Sequence, residues 1–258
     1  LRHNTDNPTG NAMVARTPAV TVTYALNNQQ FTGLTAAQLY TAGTGGNAVF
    51  FGGNAGVQGN GGPGTFPVYA LLGSLGGATS SMFTSVNATA GQGIDATATT
   101  GVNAGIELFV SSNAIAVQSP STPTNARVRM ADLVLTFSAP VTDPILHLGG
   151  MGAISSTMNG VPAVLGMSAE FDMITPGLTF TRLSGNANLA VSSSQITSAA
   201  VNPNSSCATG QGACGSVRVN GTAITSIALR VHLRGDGGIS SWSGDPGTFN
   251  GDAVLIGV

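Results

Sequence analysis

The chain contains no lysine. All eight of its basic side chains are arginine, charged residues make up only 7% of 258 residues, and the formal net charge is −2. A nucleic-acid surface needs a dense basic footprint to neutralise phosphates, so that class of function is excluded. Aromatic residues are also few, at 5% with a single tryptophan. Clefts that process sugars stack their substrates on aromatic rings, so this scarcity counts against a glycan-processing enzyme. No run reaches the ~18 uninterrupted apolar residues that cross a bilayer as a helix. The nearest stretch, 66–83, is broken by Gly73, Ser74, Gly76 and Gly77. No G-x-S-x-G elbow occurs, and the three histidines (His3, His147 and His232) form no spaced set with an obvious nucleophile. Gly59, Gly61 and Gly64 match G-x-G-x-x-G, but Pro63 interrupts the match and neither a helix pattern nor a spaced acid follows. Glu170 and Asp172 share a strand face in the manner of paired carboxylates, without the aromatic surroundings of a glycosidase. No catalytic set emerges, and the chain reads as a non-enzyme with no membrane-spanning helix.

What is present is glycine (37 residues), Ser, Thr and Asn, and apolar residues at 42% that fall into short alternating runs. Alternation sends every second side chain to one face of a strand, and Gly and Asn supply the turns between strands. The most strongly patterned stretch is 127–148. Val128 and Met130 alternate with Arg127 and Arg129, then Leu133, Leu135 and Phe137 alternate with Val134 and Thr136. The phase slips at Ala131–Asp132, which predicts a β-bulge. Ser138-Ala139-Pro140 ends this run and Ile145-Leu146-His147-Leu148 starts another, closed by Gly149-Gly150. The two are expected as paired, central strands of an antiparallel sheet.

Further strands are predicted over 19–26, 82–90, 105–117, 163–180, 187–197, 216–233 and the closing DAVLIGV, with turns at Thr175-Pro176-Gly177 and Asn220-Gly221. Residues 33–42 suit a short helix, and 66–75 fit either a strand or a short helix. The predicted fold is an all-β, antiparallel β-sandwich, jelly-roll-like, with long Gly-rich loops and an extended N-terminal segment. Residues 1–18 form the extension and 19–258 a single domain, with 43–64 as a Gly-rich loop insertion. The absence of Met at position 1 reads as processing or trimming.

Cys207 and Cys214, in CATGQGAC, lie close enough in sequence for a local disulfide. No further Cys or nearby His completes a zinc set, and a disulfide points to an oxidising, extracellular setting. Asp236, Asp245 and Asp252 sit in short Asp-Gly loops whose oxygens suit calcium, although the spacing matches no EF-hand. Arg234-Gly235-Asp236 spells an integrin-type tripeptide that chance often produces. Trp242 lies between the Asp loops, either as a ligand-stacking ring or, on packing grounds, as a core anchor. Asn87, Asn204 and Asn220 are N-x-[ST] sequons, and Ser/Thr-rich stretches offer O-linked positions. Covalent or bound glycans are therefore candidate partners.

The segments LVLTFSAPVTDPILHLGGMGA, GSVRVNGTAITSIALRV and GDAVLIGV resemble β-sandwich modules of bacterial surface and extracellular proteins, including adhesins and fibre subunits. The polar extension followed by an alternating strand resembles subunits that join by donor-strand exchange, in a pilus-like manner. Type IV-like pilins begin with a long apolar helix, and pilins with Lys–Asn cross-links require lysine; neither fits. The resemblance implies a self-assembling homopolymer at the cell surface, in which a strand around Val14, Val20, Val22, Tyr24 and Leu26 completes the neighbouring subunit's sheet. The alternative for those residues is a strand that folds back on its own domain. A carbohydrate-binding or adhesive module is the competing function.

Overall fold

A computed structural model describes residues 20–39, 45–52, 68–79, 81–83, 104–158, 161–199, 205–242 and 251–258. Two seven-stranded antiparallel sheets pack face to face, giving an all-β sandwich. The first sheet runs in the order β1 (Val22–Asn27), β5 (Val128–Val141), β13 (Ile224–Gly235), β8 (Val161–Met173), β11 (Gln195–Ser198), β10 (Leu189–Val191), with β7 (Ala153–Met158) alongside β8. The second runs β2 (Val49–Phe51), β4 (Ala104–Ser111), β14 (Gly251–Gly257), β6 (Ile145–Met151), β12 (Ala213–Asn220), β9 (Thr179–Gly185), with β3 (Tyr69–Leu71) alongside β4.

The alternating runs become strands, but their pairing differs from the expected hairpin. β5 and β6 lie in opposite sheets. Asp143, with a φ of 48°, and Pro144 turn the chain across the sandwich between them. Each strand has one apolar face that must be covered, and crossing lets Leu133 and Leu135 of β5 join the same buried core as Leu146 and Leu148 of β6. The bulge falls at Met130, since Val231 pairs with Ala131 while His232 pairs with Arg129. This one-residue slip leaves Met130 through Leu133 all buried.

Gly149-Gly150 does not close β6, which continues to Met151. A Cβ at Gly149 would run into Leu75, and one at Gly150 (φ 75°) into the backbone carbonyl of Ser205. These glycines let a second layer approach the sheet. The outer face of the second sheet is covered by residues 68–79 and 81–83 and the cysteine loop, and Phe50, Leu72, Leu75, Phe83, Phe109 and Leu255 form a second buried cluster there with both cysteines.

Other boundaries shift for local reasons. The run predicted as strand over 105–117 ends at Ser111, whose hydroxyl accepts from the amide of Ala114 and caps α2 (Ser112–Gln118). The predicted helix in 33–42 is one turn, α1 (Ala36–Leu39), held by a capping box in which Thr35 and Gln38 bond each other's backbone amides. Residues 66–75 contain both β3 and a 3-10 turn at Leu72–Ser74. The strand predicted over 187–197 is a hairpin of β10 and β11. Met82 and Phe83 lie in a turn rather than a strand, and the rest of that predicted run lies outside the described residues.

Candidate functional site: an open strand edge and a charged sheet face

β1 carries the predicted alternation. Val22, Tyr24 and Leu26 are half-buried against the main core, while Thr23, Ala25 and Asn27 are exposed. Its partner is β5 of the same chain, with Val22 opposite Phe137, Ala25 opposite Val134 and Asn27 opposite Asp132. Polar contacts hold both ends. The Thr21 amide donates to Ser138 Oγ at 2.9 Å, and Asn28 Nδ2 donates to Asp132 Oδ2 at 2.8 Å. Gln29 reaches the opposite sheet, donating to the Val49 carbonyl at 2.7 Å and accepting from the Val49 amide at 3.3 Å. Asn28 makes the bend between them, with a φ of 52° that Asn tolerates better than most residues.

The outer edge of β1 carries no strand partner among the described residues. Other described margins are shorter, bulged or partly occupied: β7 also has six residues and pairs only with β8, but its register shifts between Ser155 and Thr157. β2, β3 and β10 have three residues each. The Gln29 side chain takes both backbone groups of Val49 in β2, and in β9 the Phe180 amide donates to the Ser193 carbonyl. β1 is six residues long, with no charge, proline or bulge, so it lacks the devices by which sheet edges avoid pairing. Beside it, Tyr24 and Phe51 meet edge to face at 6.5 Å, and Val68 and Tyr69 of the opposite sheet are exposed at 40% and 62%. Burial, and secondarily the neighbouring Tyr69, pushes the Tyr24 phenol well above its usual range.

The outer face of the first sheet concentrates charge. Arg127, Arg129 and Asp132 of β5 and its lead-in, Arg230 and Arg234 of β13, and Glu170 and Asp172 of β8 lie together there. Arg127 Nε sits 2.5 Å from Glu170 and its NH2 group 2.7 Å from Asp172, while Arg234 reaches Glu170 at 2.8 Å. Asp132 is held by Arg230 at 3.0 Å and Arg129 at 3.1 Å. Burial pushes the Asp132 carboxyl up, but the hydrogen bonds from Arg230 and Asn28 and the two arginine charges outweigh it and hold the group below its usual value. Burial, followed by the Arg127 charge, lowers His232, against a smaller opposing pull from Asp172. Glu170 and Asp172, the paired carboxylates of the sequence, are both engaged by Arg127, an arrangement suited to bracing strands.

The Asp residues read as calcium ligands serve backbone amides instead. Asp236 accepts from Gly166 and Gly238 at 3.0 and 2.9 Å, and Asp252 from Gly152 and Ala169 at 3.0 and 2.7 Å. Asp245 lies outside the described residues, and among the described residues no group of three metal-binding side chains occurs. Trp242 is fully buried in the main core, so its indole is unavailable for stacking on a ligand. Its fluorescence is expected at blue-shifted wavelengths and with little quenching by iodide; an exposed, readily quenched emission would contradict this burial.

Cys207 and Cys214 form a disulfide inside the second cluster. His147 is buried with Nδ1 2.8 Å from Ser216 Oγ and its ring edge-on to Phe83, which makes it a structural residue beneath the second layer. The Asn220 side chain donates to Thr179 Oγ1 and Thr181 Oγ1 at 3.0 and 2.9 Å and accepts from Arg218 Nε at 2.7 Å, so a glycan there would displace its amide bonds. Val20 is half-buried at the approach to β1, while Val14, Asn87, Asn204, His3 and the G-x-G-x-x-G glycines lie outside the described residues.

Comparison with protein-family models, curated proteins and solved structures returns no match. Sequence reading missed Gln29 as the clasp between the sheets. A glutamine beside a strand resembles any surface glutamine until the opposing edge is known.

Proposed function

We propose that this chain is a non-enzymatic structural subunit of an extracellular, pilus-like fibre, assembling head to tail through its N-terminal strand region. The observation that carries this reading is the edge strand β1. It alternates cleanly, carries no charge, and has one side without a strand partner among the described residues. An open strand edge is a template for adding a strand from another polypeptide, and a head-to-tail contact that does not close propagates as a filament. The disulfide supports an oxidising, extracellular location. The paired charges on the first sheet favour a bracing role over a catalytic one. A carbohydrate-binding module built on Trp242 loses support because that ring is buried.

Negative-stain electron microscopy of the native chain across a concentration series tests the reading. Filaments with a repeat near one domain length are expected. Dispersed single particles at every concentration would overturn it.

A further inference from the structure

We infer that β1 is the receiving strand of the contact and that the donor is residues 11–15 of a second copy, an assignment that rests on the fibre reading above. Three observations converge on it. First, β1 is tied to its own domain. It has a six-residue register with β5, polar ties at Thr21, Asn28 and Gln29, and three side chains on the core. Exchanging β1 itself between copies would break all of these contacts at once, whereas adding a strand on the side that has no strand partner among the described residues breaks none.

Second, the open side suits an uncharged strand. Thr23, Ala25 and Asn27 are exposed and small or polar. The half-buried Tyr24 and Phe51, with the exposed Val68 and Tyr69 across the seam, offer apolar cover for its inward side chains.

Third, the chain carries such a segment ahead of β1. Nineteen residues precede Val20, and residues 7–15, NPTGNAMVA, are uncharged. Fully extended, nineteen residues span about 65 Å, enough to reach a neighbouring copy. Residues 11–15 contain no proline and alternate Ala12 and Val14 with Asn11, Met13 and Ala15, so every backbone amide can join a ladder.

The test uses three forms of the chain and one peptide. In Ala25→Cys/Val134→Cys, a pair in direct register, an oxidised cross-link fastens β1 to its own β5. In the second form residues 1–17 are removed and β1 is kept. The peptide is residues 8–18, labelled for fluorescence anisotropy. The full chain and the cross-linked chain are both expected to form filaments. The shortened chain is expected to stay as folded single particles and to bind the peptide saturably.

Filaments from the full chain but not from the cross-linked one would show that β1 itself is exchanged and would overturn the inference. Filaments from the shortened chain would overturn the choice of donor. If even the full chain forms none, the fibre reading fails. Peptide binding to the shortened chain still decides the inference in that case, since absence of binding refutes the receiving edge.

Discussion

Replacing Asp252 with alanine is expected to destabilise the fold by about 4 kcal/mol, read as a lower midpoint of chemical denaturation. The size follows from two buried backbone amides left without acceptors, at roughly 1–3 kcal/mol each. Asp252 belongs to the second sheet but takes the amide of Ala169 in β8 of the first sheet and that of Gly152 in the link between β6 and β7. The reason lies in β8. On one margin, β7 pairs with it up to Met167 and β11 pairs from Phe171. Between these partners the β8 margin has no strand, and the carboxylate fills the gap.

Asp252→Asn should be intermediate, because its carbonyl serves one amide while its NH2 group confronts the other. The same site sets a pH dependence. Burial pushes the Asp252 carboxyl up to about 7, against the opposing pull of the amides. A raised folded value means that the proton is held more tightly folded than unfolded. The stabilisation linked to it is complete below the unfolded value near 4 and is lost as pH rises through 7. His232 acts in the opposite sense, its lowered value costing stability as pH falls through its unfolded value of about 6.5. The difference between wild type and Asp252→Asn isolates the carboxyl: the wild type should gain relative to the variant between pH 8 and 5. A flat difference would show that Asp252 does not take up its proton in that window.

Removing the disulfide should have the next largest effect. Cys207 and Cys214 are seven residues apart, and closing so short a loop is worth about 2.5 kcal/mol on the chain-entropy account. Both cysteines are fully buried in the second cluster, and Cys214 Sγ also accepts from the Gly150 amide at 3.1 Å. The double variant Cys207→Ala/Cys214→Ala is therefore expected to lose about 2–3 kcal/mol. Hydrogen exchange should locate the damage, with faster exchange at Gly150 and in residues 68–83 while the first sheet keeps its protection. Uniform loss across both sheets would mean that the second layer is not an independent unit. Because no sulfur surface is exposed, the native protein should also resist mild reductants until that layer opens.

The strands were legible because period-two alternation is local: Val22–Tyr24–Leu26, Leu133–Leu135–Phe137 and Leu229–Val231–Leu233 each declare a face. Assignment of strands to sheets was not legible. Ile145–Leu148 looks the same whether it pairs with the preceding strand or crosses the sandwich, and the choice depends on distant residues. The charged face shows the same division. Arg127 with Arg129, Glu170 with Asp172, and Arg230 with His232 and Arg234 each stand two apart, so each group is readable on its own strand. Only the order β5, β13, β8 brings them together. Gly149 and Gly150 resembled a stop because glycine serves both turns and close approaches, and the approaching partner, Leu75, lies 74 residues earlier in the numbering. Trp242 between Asp-Gly loops read as either a ligand ring or a core anchor, and its complete burial makes it the anchor.

β14 lies between β4 and β6, and every residue from Gly251 to Gly257 is buried. Without it β4 and β6 would lack the neighbour that joins them, and the second sheet would fall into two pieces. Its partners stand far away in the numbering, with Ser111 opposite Gly251 and Gly149 opposite Leu255. Such long-range closure is slow, so the second sheet becomes continuous only when this one strand docks.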